Sequence, residues 1–153
     1  MKHKHKQILL VIPVLLLCLC ACKTDPPVLT AKATVIGKWY VKQHNLKLIK
    51  DGVQIGETIR TSYTGDDYAQ FLEDGTGYQS KQGAPAASLS IFHYTLKDNV
   101  ITIFVDGNKG VDETITRLTE NELSIHYESQ IPDPVVQGKF NTEIDDFTFA
   151  KQL

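Results

Sequence analysis

Three thiols lie close together near the start of this chain, at Cys18, Cys20 and Cys22, and no other cysteine follows in its 153 residues. A thiolate is both a nucleophile and a soft metal ligand, so covalent or zinc chemistry would first be sought here. The setting argues against zinc. Cys18 and Cys20 sit in an apolar stretch that reads as a removable leader. The one thiol left after it cannot build a disulfide or a Cys-based metal site. The histidines beyond that stretch, His44, His93 and His126, are far apart and lack metal-ligand spacing. Carboxylates come as the neighbours Asp66-Asp67, Glu73-Asp74 and Asp145-Asp146. Glycoside hydrolysis needs two carboxylates across a cleft, whereas neighbours on a strand point to opposite faces. These pairs are read as turn and solubility residues. Asp106-Gly107-Asn108 is too short for a calcium loop. No nucleophile elbow, phosphate loop or dinucleotide fingerprint is present. The residues therefore assign no catalytic group, no metal and no cofactor, and the chain is read as something other than an enzyme.

The leader gives Cys22 its chemistry. Lys2, Lys4 and Lys6 make a basic start, and the apolar run Ile8–Ala21 that follows is 14 residues long. A membrane-spanning helix needs about 20, so this is the pattern of a secretory signal peptide. The run ends Leu19-Cys20-Ala21-Cys22, which resembles the bacterial lipobox. That resemblance implies cleavage between Ala21 and Cys22 and a lipid on the Cys22 thiol. Buried acyl chains contribute about 0.8 kcal/mol per CH₂, and two or more of them hold a protein at a membrane. Lys23, rather than Asp, follows the cysteine, which by the same resemblance implies the outer membrane of the cell envelope. The expected division is a signal peptide over 1–21, a lipidated tether over 22–34 that contains Pro26-Pro27, and a folded domain over 35–153. Removal of the leader leaves 13 cations against 18 acids, a net charge near −5. With two arginines and no basic run, that balance excludes nucleic acid as a partner. The expected partners are the membrane and a small apolar ligand. No protein partner can be read.

The elements that would position any site are short strands. Turn signals recur at Lys50-Asp51-Gly52, Asp74-Gly75, Asp98-Asn99, Asp106-Gly107-Asn108 and Glu120-Asn121. Ile101, Ile103 and Val105 alternate with polar or opposite-facing neighbours, as do Leu123, Ile125 and Tyr127, and Phe147 and Phe149. One buried and one wet face is the antiparallel pattern. Strands are expected over Leu46–Ile49, Val53–Thr61, Tyr68–Glu73, Thr76–Ser80, Ser88–Lys97, Val100–Val105, Asp112–Leu118, Glu122–Ser129 and near Asp146–Lys151, with longer loops over Gln79–Ala87 and Ile131–Gln137. Eight or nine strands joined by tight turns predict an all-β antiparallel up-and-down barrel. A two-sheet β-sandwich fits the same pattern.

Several motifs in order carry a family resemblance. Ile36-Gly37-Lys38-Trp39-Tyr40 opens with Gly-x-Trp, and Phe71-Leu72-Glu73-Asp74-Gly75-Thr76-Gly77 forms a turn motif. Phe92-His93-Tyr94-Thr95-Leu96 and Arg117-Leu118-Thr119-Glu120-Asn121-Glu122-Leu123 follow. This series resembles the lipocalin-like domains of lipoproteins from Bacteroidetes-type bacteria. The resemblance implies a barrel with one open end and a Trp39 that floors the cavity or closes the base, with Lys151 or Arg117 over its ring. An apolar or amphipathic ligand would then be lined by Tyr68, Phe71, Phe92, Tyr94, Phe104 and Tyr127. A filled barrel serving as a structural or interaction accessory of an envelope complex is the alternative.

Overall fold

The computed structural model describes residues 27–29, 34–80, 89–105 and 109–151. The expected signal peptide, Cys22 and most of the 22–34 stretch lie outside the described residues, as do 81–88 of the loop expected over Gln79–Ala87. Ten strands form one sheet: β1 (Val28–Leu29), β2 (Gly37–Lys50), β3 (Val53–Arg60), β4 (Tyr68–Phe71), β5 (Thr76–Ser80), β6 (Ser90–Lys97), β7 (Val100–Phe104), β8 (Val111–Leu118), β9 (Glu122–Pro132) and β10 (Phe140–Ala150). Each hairpin pairs antiparallel with the next from β4 to β10. Strand β10 then returns to β2, and β2 to β4. The ring of eight is closed, which excludes the two-sheet sandwich and leaves these strands without a free edge along the ring.

Side-chain parity explains the ring. Residues alternating along a strand share a face, and the inward set packs into one core that includes Val35, Trp39, Phe71, Phe92, Ile101, Ile115, Leu123 and Phe149. In β8 the register shifts between Ile115 and Arg117, a bulge that reverses parity. Ile115 and Leu118 are therefore both buried while Arg117 turns outward. Gly77 lies where two strands pack closely: a Cβ there would meet the Phe92 ring at 2.2 Å and the Gln70 carbonyl at 2.9 Å.

Two strands stand outside the ring. Strand β1 pairs in parallel with β8 through Val28↔Arg117 and Leu29↔Leu118, so part of the stretch read as a tether runs along the barrel wall. Strand β3 shares an edge of β2 with β4. Strand β4 takes Gly37–Tyr40, and β3 takes His44–Lys50 through a two-residue turn in which Asp51 (φ 49°) and Gly52 (φ 78°) are both left-handed. Above the ring, β3, β2, β10 and β9 continue as a four-stranded extension.

The extension corrects three sequence expectations. β2 is one strand of 14 residues that joins the opening Gly-x-Trp segment to the short strand expected over Leu46–Ile49. β10 begins at Phe140, well before Asp146. β9 runs through Ile131 and Pro132, the start of the segment whose prolines predict a loop. The turn after β9 is tied down at Asp133. Its Oδ1 accepts the amides of Val135 (2.8 Å) and Val136 (3.0 Å), and its Oδ2 lies 2.7 Å from Lys50 Nζ. The hydrogen bond from Lys50, with those two amides, holds the Asp133 carboxyl down at about 2.

Candidate functional site

The barrel interior is closed at one end and hollow toward the other. At the closed end Trp39 has no solvent exposure. Its Nε1 donates to the Val35 carbonyl at 2.6 Å, and Lys151 Nζ lies 4.8 Å from its ring centroid. Such a cation–π contact contributes roughly 0.5–1 kcal/mol or more where water is excluded. Gly37, two residues before the Trp, takes φ 123° with the Lys151 side chain 3.6 Å from where its Cβ would be. A larger residue would be strained there, which accounts for the Gly-x-Trp spacing. Arg117, the other candidate for the Trp39 ring, is instead paired with Glu122 at 2.8 Å.

Beyond this plug lies a cavity of about 460 Å³. Its apolar wall includes Val41, Phe71, Phe92, Ile103, Phe147 and Phe149. Small-molecule sites typically measure about 300–1,000 Å³ and are mostly apolar with a few placed polar groups. Here the polar lining residues include Tyr127, Gln79, Ser90, Lys109 and Glu113, while the Tyr68 ring packs with Tyr40 and under Lys38 Nζ. Of the aromatic residues singled out from the sequence, Tyr68, Phe71, Phe92 and Tyr127 line the cavity, whereas Trp39, Tyr94 and Phe104 do not. Tyr94 shares the inner face with Phe92, packs edge-on against Phe71 at 5.1 Å and donates its hydroxyl to the Leu72 carbonyl at 2.6 Å, so it joins the core beside the cavity. Phe104 falls on the face opposite Ile103 and Val105, which line the space.

The polar side of the cavity was not found from sequence. Glu113 shares the inner face with Ile115, and burial, followed by the charge of Asp145, pushes its carboxyl up to about 7. The signal was present in the two-residue spacing from Ile115. A lone acid on a strand carries no mark of its own. Asp145 and Asp146 are not turn residues but lie mid-strand in β10, one on each face. Asp145 Oδ1 is 2.6 Å from His44 Nε2, and the His44 ring stacks on Phe147 at 4.1 Å. Asp146 faces outward between Lys47 Nζ (3.0 Å) and His126 Nδ1 (2.7 Å). The other pairs do serve turns. Asp67 Oδ2 accepts the Thr64 amide at 2.9 Å, and Asp74 Oδ1 accepts the Thr76 amide at 2.8 Å. Among the described residues no group of three His, Cys, Asp or Glu could hold a metal ion.

A closed eight-stranded meander with a plugged base and a hollow, mostly apolar upper half is a barrel with room for one small molecule. The family model for the lipocalin-like domain matches residues 35–125, from the Val35–Trp39 plug into β9, and the chain belongs to that family. No curated protein and no solved structure matches the chain.

Proposed function

We propose that the chain is an outer-membrane lipoprotein, cleaved after Ala21 and acylated on Cys22, whose barrel binds a small apolar or amphipathic molecule in the cavity above Phe92 and Phe149. The cavity itself carries the binding reading. A space of about 460 Å³ walled by aromatic and aliphatic side chains removes apolar surface from water when it is filled, which contributes roughly 25 cal/mol per Å² buried.

The test is titration of the purified full chain with the neutral fluorescent probe N-phenyl-1-naphthylamine. Saturable enhancement, displaced by medium-chain alcohols, is the expected result; a linear, non-displaceable response sinks the binding reading. The anchor is tested separately. Cys22→Ala is expected to move the protein from the membrane fraction to the soluble fraction, and full retention at the membrane would remove that part of the proposal.

A second reading rests on β3. Its outer edge has no partner among the described residues, and Val53, Ile55 and Ile59 are more than half exposed, at 64%, 54% and 58%. An unpaired edge with exposed apolar side chains suits strand addition by another protein. A structural or interaction accessory of an envelope complex would use it and leave the barrel unliganded. The same titration separates the two readings.

A further inference from the structure

The polar wall of the cavity is one-sided in charge. Glu113 lines the space and has no hydrogen-bond or ion-pair partner among the described residues. Asp145 lies on the same inner face of β10 as Phe147 and Phe149, directly across from Tyr127 of β9, and its side chain is only 14% exposed. These two carboxyls feel one another's charge.

The surroundings supply little to offset them. β7 presents Ile101 and Ile103 to β8, neither of which titrates. β9 presents the neutral Tyr127 hydroxyl, while His126 points to the outer face with Asp146 and Glu128. β2 presents His44, which is committed to Asp145 and can neutralise at most that one carboxylate. Lys109 touches the cavity but is exposed and makes no ion pair among the described residues, so water screens its charge. Once Glu113 ionises, the inner surface therefore carries a net negative charge in a half-enclosed, mostly apolar space, where charge–charge energies exceed their values in bulk water.

Building on the ligand-binding reading above, we infer that the cavity selects amphiphiles with a protonated amine head over those with a carboxylate head, the amine seating against Glu113 within the field of Asp145 and the chain running toward Phe92 and Phe149. An amine supplies the charge and the N–H donors that Glu113 lacks, whereas Asp145 already meets His44. A carboxylate in the same place would add a third negative charge beside two others. Selection grows with pH as Glu113 loses its proton, because an alkylamine resembles the lysine side chain and stays protonated up to about pH 10.

The experiment displaces N-phenyl-1-naphthylamine from the purified full chain with decylamine, decanol and decanoate. Identical chains cancel the apolar contribution and leave the head group as the variable. At pH 8.5 decylamine is expected to bind about tenfold or more tighter than decanoate, with decanol between them. At pH 5.5 the gap should narrow, and Glu113→Gln should narrow it at pH 8.5 to about threefold. The pH series on the unaltered protein stands even if that variant folds poorly. Probe binding with decanoate equal to or tighter than decylamine at pH 8.5 overturns the inference alone and moves the head group to Lys109. A ranking unchanged by both pH and Glu113→Gln also overturns it. Failure of the probe to bind at all overturns the ligand-binding reading and this inference together.

Discussion

Trp39→Ala is expected to lower the stability of the barrel by about 3–5 kcal/mol, a large share of the roughly 5–15 kcal/mol that holds a domain of this size. The side chain is wholly buried, and it fills the base of the ring where Val35 and Lys151 meet it from opposite ends of the fold. Alanine leaves a cavity that the closed ring cannot collapse around. It also strands the Val35 carbonyl and removes the aromatic face under Lys151 Nζ. Urea unfolding should show a lower midpoint with an unchanged slope, the mark of lost stability rather than an altered unfolded state. Trp39→Phe separates the components. It keeps most of the apolar volume and loses the indole donor, so its cost is expected near 1–3 kcal/mol. Trp39 does not line the cavity, so Trp39→Phe should leave probe affinity within about twofold. A loss under 1 kcal/mol for alanine would mean that the base of the ring is not where the fold is fastened.

The sequence disclosed the ring far better than the extension, and the reason is physical. Where a strand separates a packed interior from water, its residues must alternate. Ile101, Ile103 and Val105 announce β7, and Leu123 and Ile125 announce β9. The same parity places Phe104 outside, although its aromatic character had grouped it with the cavity wall. Above the ring no second layer packs on β2 or β10 among the described residues, so Lys42-Gln43-His44-Asn45 and Thr142-Glu143 show no apolar rhythm and the pattern predicts strands shorter than those that form. There the backbone ladders do the work that buried side chains do below. Closure is illegible for another reason. The pairing of β2 with β10 joins residues about a hundred positions apart, such as His44 and Asp145, and no local pattern encodes it. Glu113 keeps the alternation with Ile115, but a single acid at an inward position has no apolar character to mark it, and the bulge at Ile115/Arg117 shortens the run that would show the parity.

Glu113→Gln should reveal that hidden group as a stability difference that opens with pH. The ordinary carboxyl value of 4.5 applies in the unfolded chain, whereas in the fold burial and Asp145 raise it to about 7. Between those values the native state binds more protons than the unfolded state, so its stability falls as pH rises. The loss is complete once pH exceeds the folded value and amounts to at most about 3 kcal/mol at 1.36 kcal/mol per unit. Glutamine is isosteric and neutral throughout. The two proteins should therefore follow parallel curves below about pH 4.5 and diverge up to about pH 7.5, with the variant the more stable by about 2–3 kcal/mol. The other shifted groups cancel in the comparison. Asp133, held low, contributes stability that disappears only in acid, and His126, held high by Asp146 and Glu128 against the effect of burial, contributes stability lost at higher pH, but both do so equally in the two proteins. Paired urea melts across this range measure the difference directly. Curves that stay parallel from pH 4 to pH 8 would place Glu113 in water. Divergence in the stated direction would leave the barrel holding a carboxyl whose burial opposes the fold, a residue kept for what enters the cavity rather than for what closes it.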